Sequence, residues 1–169
     1  MTDTGETPDG ERLMAEARKF EKNLLNFFWR QGVSYCEGED LVQETYLRLW
    51  NYRGDYKPTA KLSTFLFLLA RQVRIDALRR QTRREGREDR WTREQPVAET
   101  PTALCVREDV RWAVARLSEP LREVIEFGVF QDLPYAEVGA ILGIPVGTVK
   151  SRMSNALKKL KEIFDEQGP

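Results

Sequence analysis

The amino-acid sequence predicts an all-α protein made of two small helical domains joined by a flexible linker. Apolar residues recur at intervals of three or four through most of the chain, the spacing that places them on one face of a helix. Between residues 85 and 102 they become rare, and charged residues and prolines replace them. Such a segment cannot bury a core of its own. We therefore expect a tail at 1–10, a first domain of three or four helices at 11–84, and a second of four helices at 103–166.

The first domain begins with two predicted helices. One spans Glu11–Arg30, because its apolar residues follow the helical period, and Gly32 ends it. The other spans about Glu39–Asn51, and its acidic start suits the positive end of the helix dipole.

A loop and a third helix complete this domain. Residues 52–62 contain glycine and proline and show no period, which is typical of a loop. Ser63 or Thr64 is then placed to cap a helix that runs to about Arg83. The three helices are expected to pack as one small bundle.

Charge is segregated along the chain. Lysine and arginine together number 27, as do aspartate and glutamate, so the formal net charge is zero. A nucleic-acid surface then requires that basic residues gather in one place. They do so from Arg71 to Arg93, where nine arginines stand against four acids. We expect a basic track toward the end of the third helix.

Several classes of function find no support in the sequence. The chain has no histidine, and its two cysteines, Cys36 and Cys105, lie far apart, so we interpret both as reduced structural residues. No glycine-rich phosphate loop and no apolar run long enough to span a membrane is present, and the first ten residues do not resemble a signal peptide. We expect a cytoplasmic protein without enzymatic activity, cofactor or metal.

The second domain is predicted to open with two short helices. The first lies within residues 104–117, and the second is capped by Ser118 and carries Pro120 in its first turn, where proline is tolerated.

A helix-turn-helix follows. A short helix at Pro134–Leu142 ends at Gly143, which suits a left-handed cap, and a long basic helix runs from about Val146 to Phe164. This arrangement places the second helix in the major groove of DNA. The period predicts that it buries Val149, Met153, Ala156, Leu157, Leu160 and Ile163. Its candidate DNA-reading residues are Thr148, Lys150, Ser151, Arg152, Asn155, Lys158 and Lys159.

The helix-turn-helix resembles that of a known family. The run Thr148-Val-Lys-Ser-Arg152 is similar to region four of bacterial sigma factors of the extracytoplasmic function (ECF) group, which recognises the promoter −35 element. Asn155 and Leu157 stand where that family usually has arginines.

The first domain carries a second resemblance, to sigma region two. The run Asp40-Leu-Val-Gln-Glu44 is similar to the part that docks on the clamp of the largest subunit of RNA polymerase. The resemblance implies polymerase contacts through Asp40, Leu41, Gln43, Glu44, Leu47 and Trp50. The following helix resembles the part that grips the melted −10 strand, which implies DNA contacts through Phe65, Arg71, Gln72, Arg74, Asp76, Arg79 and Arg80. Helical spacing equally allows Phe65 and Phe67 to be core residues.

Together the two resemblances imply an ECF sigma factor. Such a protein binds core RNA polymerase, directs it to promoter DNA, and is controlled by an anti-sigma factor. Two alternatives remain open on the sequence. One is a dimeric helix-turn-helix regulator that acts without polymerase, and the other is a sigma-like decoy that sequesters an anti-sigma factor; the retained arginines on the third helix argue against the decoy.

Overall fold

The computed structural model describes residues 8–53, 61–85 and 108–166, which form eight α-helices and one π-helical turn. No strand occurs among them, so the all-α prediction is confirmed. The chain divides into two compact units, residues 1–101 and 102–169. Residues 1–7 of the predicted tail, 54–60 of the predicted loop and 86–102 of the predicted linker lie outside the described residues, as does Cys105. Residues 8–10, which were predicted as tail, instead begin the first helix, and Glu85 ends the fourth.

Unit 1 contains four described helices, in keeping with the three or four predicted. They are α1 (Pro8–Arg18), α2 (Glu21–Arg30), α3 (Tyr35–Tyr52) and α4 (Leu62–Glu85). The single helix predicted over Glu11–Arg30 was wrong, because the chain breaks at Lys19 and Phe20.

The hydrogen bonds at the break differ from those of a continuous α-helix. The amides of Lys19 and Phe20 bond to carbonyls three residues back, at 3.2 and 3.0 Å, so the helix tightens and ends. The Ala17 carbonyl, which accepts from the Phe20 amide, also accepts from the Tyr46 hydroxyl at 3.5 Å. The break lets α1 and α2 each pack on both α3 and α4. Two shorter helices thereby cover one core.

The start points of α3 and α4 also differ from prediction. Helix α3 begins four residues before Glu39, because Ser34 is its N-cap and accepts from the Glu37 amide at 3.3 Å. Helix α4 begins at Leu62, which places both Ser63 and Thr64 inside the helix, with Thr64 buried. Neither residue is therefore the predicted cap.

The core of unit 1 lies between these four helices. Phe27 meets Phe28 edge to face at a centroid distance of 5.2 Å and Phe67 at 6.1 Å. Other fully buried side chains are Leu24, Val42, Leu49, Leu66, Leu69 and Val73. The sequence interpretation of Phe67 as a core residue is confirmed.

Unit 2 contains α5 (Glu108–Ala115), α6 (Glu119–Ile125), α7 (Tyr135–Leu142) and α8 (Val146–Glu166). Ser118 takes the N-cap position of α6 with an extended backbone, but its side chain makes no capping hydrogen bond. Of the predicted fourth helix, residues 104–107 lie outside the described range.

The sequence did not predict a π-helical turn at Glu126–Phe130, which continues α6. Here the Gln131 amide bonds to the Glu126 carbonyl five residues back, at 3.0 Å. The Glu126 side chain is buried and accepts from the Gln131 side-chain amide at 3.0 Å. A carboxylate inside the unit therefore has a hydrogen-bond partner, as burial requires.

The helix-turn-helix is confirmed, and its turn is tight. Gly143 has φ of 66°, the left-handed cap expected of it. The amides of Gly143 and Ile144 both donate to the Gly139 carbonyl. A Cβ on Gly139 would lie 2.8 Å from the Ile144 carbonyl oxygen. The absence of a side chain at Gly139 is thus what lets the turn fold back onto α7.

The buried face of α8 is narrower than predicted. Val149, Met153 and Ala156 are buried, and Leu160 and Ile163 are half-buried. The prediction that Leu157 is buried was wrong, since 52% of its surface is exposed. Each helical residue turns about 100° from the last, which rotates Leu157 away from the face that contains Ala156.

Candidate nucleic-acid and partner interfaces

Most candidate DNA-reading residues of α8 lie on its open face. Lys150 and Ser151 near the helix start are exposed, whereas Thr148 is half-buried. The Ser151 hydroxyl donates to the Thr148 carbonyl at 3.0 Å, so its oxygen lone pairs face outward as acceptors. The start of α8 thus presents one cation, which suits phosphates and base-edge acceptors, and one hydroxyl oxygen, which can accept from base-edge donors.

The other α8 candidates lie farther along the helix and line a shallow groove against the start of α6. The groove is lined by Ser118, Pro120, Leu121, Arg152, Asn155, Lys158, Lys159 and Glu162. Three cations and one amide therefore share a concave surface with a single acid. Lysine and arginine donate to phosphates, and asparagine pairs with the edge of adenine.

The predicted polymerase-binding residues of α3 mostly share one surface. Asp40, Gln43 and Leu47 are exposed, Leu47 to 63%, while Glu44 and Trp50 are half-buried. Leu41 is buried, so it supports the helix from inside and presents no surface to a partner.

A groove runs beside this face, between α3 on one side and α1 with the start of α2 on the other. It is lined by Met14, Arg18, Glu21, Gln43, Tyr46, Leu47 and Trp50. At one end the Arg53 guanidinium lies 4.0 Å from the centroid of the Trp50 ring and donates to the Trp50 carbonyl at 2.7 Å. Sequence reasoning missed Met14 and Arg18, because residues on a separate helix carry no local signal of a shared groove.

The predicted DNA-binding residues of α4 differ in their exposure and in their hydrogen bonds. Gln72, Arg79 and Arg80 are exposed, and Arg71 is half-buried. Arg74 donates to the Gln31 carbonyl at 3.0 Å, so it ties α4 to the end of α2. The arginine track is consequently narrower than the sequence predicts.

An aromatic pair stands at the start of α4. Phe65 is half-buried and meets Tyr52 edge to face, with ring centroids 6.2 Å apart. Tyr52 is 48% exposed and ends α3, although it was predicted to be the first residue of the 52–62 loop; it was not among the predicted site residues. Exposed rings of this kind offer stacking surfaces for unpaired bases.

Four charged side chains join α3 to α4, and we call them the α3–α4 ion-pair cluster: Glu44, Arg48, Asp76 and Arg80. The Glu44 carboxylate accepts from Arg80 at 3.0 and 2.9 Å and from Arg48 at 2.7 Å. Arg48 also donates to Asp76 at 2.8 Å. Sequence reasoning missed Arg48, although its place one turn after Glu44 was a signal.

The cluster shifts the acidity of its own members. Partial burial raises the Glu44 pKa, but the hydrogen bonds from Arg80 and Arg48 outweigh burial, and the pKa lies below its ordinary value. Partial burial likewise lowers the Arg48 pKa, and its bonds to Asp76 and Glu44 raise it by more. Both shifts favour the charged forms of Glu44 and Arg48.

Neither metal ligands nor membrane helices stand out in the ranges that the structure describes. These ranges hold no group of three or more His, Cys, Asp or Glu side chains placed to hold a metal ion. None of their helices is both long and apolar enough to cross a bilayer.

Comparison with known proteins gives consistent matches to sigma factors. The family model of Sigma-70 region 2 matches residues 15–84, and that of Sigma-70, region 4 matches residues 107–160. The chain is 35% identical to the ECF RNA polymerase sigma factor SigL of Mycobacterium tuberculosis, over 79% of this chain and 77% of that protein. It is 29% identical to the ECF RNA polymerase sigma factor RpoE of Cereibacter sphaeroides, over 96% of this chain and 98% of that protein.

A solved structure also matches the fold. The sigma factor RpoE of Bartonella quintana, solved in complex with the anti-sigma factor NepR, aligns with a TM-score of 0.76 and 27% identity. The alignment covers 89% of this chain and 95% of that one.

Proposed function

The chain belongs to the ECF group of RNA polymerase sigma factors, and from this we propose that it docks on core polymerase through α3 and recognises promoters through α4 and α8. The observation that carries the proposal is the joint presence of two different interfaces on unit 1. An acidic and apolar surface lies on α3, and a basic surface lies on α4, where Phe65 meets Tyr52 from the end of α3.

The α3 surface suits a basic partner helix. Asp40 and Glu44 provide acceptors for lysine or arginine side chains, and the strongly exposed Leu47 offers apolar area beside them. We assign this surface to the clamp of the largest polymerase subunit. Polymerisation would then reside in the partner, and this chain would supply promoter specificity without chemistry of its own.

The α4 surface suits a melted −10 strand. Arg79 and Arg80 provide positive charge for the backbone, and Gln72 provides an amide for base edges. Phe65 and Tyr52 would stack on bases that leave the duplex.

The α8 surface suits the −35 duplex. Lys150 and Ser151 lie at the helix start, which is the part of a recognition helix that reaches base edges. Arg152, Lys158 and Lys159 line the adjoining groove and would contact phosphates.

We also propose that an anti-sigma factor controls the chain. The support is the similar sigma factor of Bartonella quintana, which was solved bound to an anti-sigma factor. A protein that covers α3 would keep the factor from polymerase.

Promoter-specific transcription by core polymerase, with and without the chain, tests the function over a library of promoter sequences. We expect open complexes that depend on the chain and share one pair of sequence elements. A chain that neither binds core nor directs any open complex would refute the proposal. Binding of the chain alone to a palindromic duplex would instead favour the dimeric regulator.

Charge reversal tests the polymerase surface. Asp40→Lys together with Glu44→Lys should abolish core binding while the affinity of the full chain for duplex −35 DNA is not reduced. Glu16→Lys is the matched control, since it reverses an exposed acid of α1 that pairs with the exposed Lys19. Equal loss of core binding in the control would show that the α3 surface has no special role.

A further inference from the structure

The α3–α4 ion-pair cluster connects two surfaces that the proposed function assigns to different partners. Glu44 belongs to the polymerase surface, and Arg80 belongs to the surface for the −10 strand. In the described structure both oxygens of Glu44 accept from the Arg80 guanidinium, at 3.0 and 2.9 Å. Glu44 and Arg80 are therefore paired with each other before polymerase or DNA binds.

We propose that this cluster couples polymerase binding to DNA binding, because a basic polymerase side chain that pairs with Glu44 releases Arg80 for the phosphate backbone of the −10 strand. The inference rests on the proposed function and deepens it. It predicts that Arg80 is not available to DNA in the free chain and becomes available when core polymerase binds.

The geometry allows such an exchange. The Arg80 side chain is 53% exposed and that of Glu44 is 28% exposed, so solvent and incoming groups reach the pair. Ion pairs at this exposure contribute little net stability, which lets a partner of similar chemistry displace them. Arg80 Nε also donates to the main-chain carbonyl of Asp76 on α4 at 3.4 Å. This bond keeps the guanidinium near α4 when a polymerase side chain pairs with Glu44.

Arg48 keeps Glu44 in place during the exchange. Its guanidinium bonds to Glu44 at 2.7 Å and to Asp76 at 2.8 Å, and it is 25% exposed, less than Arg80. Asp76 in turn lies 3.8 Å from Arg79. When Arg80 leaves, Glu44 therefore still has one cation, and the carboxylate remains ionised and aimed at the surface.

Coupling of this kind is reciprocal. If polymerase at Glu44 raises the affinity of Arg80 for DNA by some factor, DNA must raise the affinity of the chain for polymerase by the same factor. The fold-increase in DNA affinity caused by polymerase and the fold-increase in polymerase affinity caused by DNA must therefore agree.

The first test measures how tightly the full chain, without polymerase, binds a fluorescent single-stranded oligonucleotide at low salt. Glu44→Gln frees Arg80, so we expect binding about threefold to fivefold tighter than wild type. Asp40→Asn is the matched control, because it removes the same charge from the same surface of α3 at a residue outside the cluster. The control should gain much less.

The second arm asks whether the gain passes through Arg80. In an Arg80→Gln background, Glu44→Gln should gain no more than Asp40→Asn does. A gain that equals the control, or that survives without Arg80, overturns the coupling. Core binding by the wild-type chain is measured alongside, since its failure would refute the proposed function, whereas core binding without the Glu44→Gln gain would refute the coupling alone.

Discussion

Replacing Gly139 with alanine should loosen the helix-turn-helix. The new Cβ would lie 2.8 Å from the Ile144 carbonyl oxygen, closer than Cβ atoms approach in folded proteins. The obstacle is main chain, so the contact is relieved when the turn opens or α8 shifts. Overpacking of this kind costs about 1–3 kcal/mol, and the better helix propensity of alanine returns about 1 kcal/mol. We expect a net loss near 1 kcal/mol in unit 2.

Hydrogen exchange measures this loss where it should occur. The amide of Ile144 donates to the Gly139 carbonyl at 3.0 Å, and that of Val149 donates to the Pro145 carbonyl at 3.1 Å, so both should exchange faster in the variant. Affinity for −35 duplex should fall as well, because α8 no longer has a fixed position.

Gly147→Ala is the matched control for this substitution. A Cβ at Gly147 meets nothing within 4 Å, so the same chemical change there should leave protection equal or slightly higher. If Gly139→Ala protects Ile144 as well as the wild type does, or behaves like Gly147→Ala, then the close approach does not constrain the turn.

Three further predictions concern other parts of the molecule. Burial and the charge of Glu21 raise the pKa of Tyr46 to about 12, above the value near 10 of an unfolded tyrosine. Folding therefore favours the neutral form of Tyr46, which contributes up to about 2 kcal/mol of stability; the contribution is fully present below pH 10 and should be lost as the pH rises toward 12. Denaturation measured over this pH range should show a smaller loss of stability for Tyr46→Phe than for the wild type. An equal loss in the two proteins would disprove the assignment. Leu157→Arg should bind −35 duplex more tightly, and the affinity should fall more steeply with salt concentration, by the amount expected for about one added phosphate contact. Leu157→Gln is equally tolerable at this exposed position and should leave the salt dependence of the affinity unchanged. Phe65→Leu should weaken binding of the −10 strand in the holoenzyme about fivefold or more through lost stacking, with −35 binding intact; undiminished −10 binding would make Phe65 a packing residue alone.

Features fixed by a few neighbouring residues were predictable from the sequence. Gly143 marks a left-handed helix end because its neighbours follow the helical period on both sides, and the structure gives it φ of 66°. The break at Phe20 was missed for the opposite reason. The apolar period continues through it, and the hydrogen bond that Tyr46 makes to Ala17 at the break joins residues 29 positions apart.

The candidate sites show the same division. The order of acidic, basic and helix-turn-helix segments was visible, because each is local. The pairing of Glu44 with Arg80 spans 36 positions, so no local pattern could reveal that the two surfaces share side chains. The exposure of Leu157 depends on which part of α8 faces the rest of unit 2, and a one-dimensional period places that boundary only to within about one residue.

The π-helical turn at Glu126–Phe130 sets the rotational phase at which the chain leaves α6. Such a turn holds one residue more than an α-helical turn, which corresponds to about 100° of rotation. Deleting a single residue there would give a more regular helix, but it would rotate the direction in which the chain leaves that helix toward α7. Length changes within residues 131–134, by contrast, alter a connection that has no helical phase to keep. In proteins related to this chain, insertions and deletions should therefore be found in that connection and be rare in the π-helical turn. The irregular helix would thus constrain the length of this part of the chain during evolution.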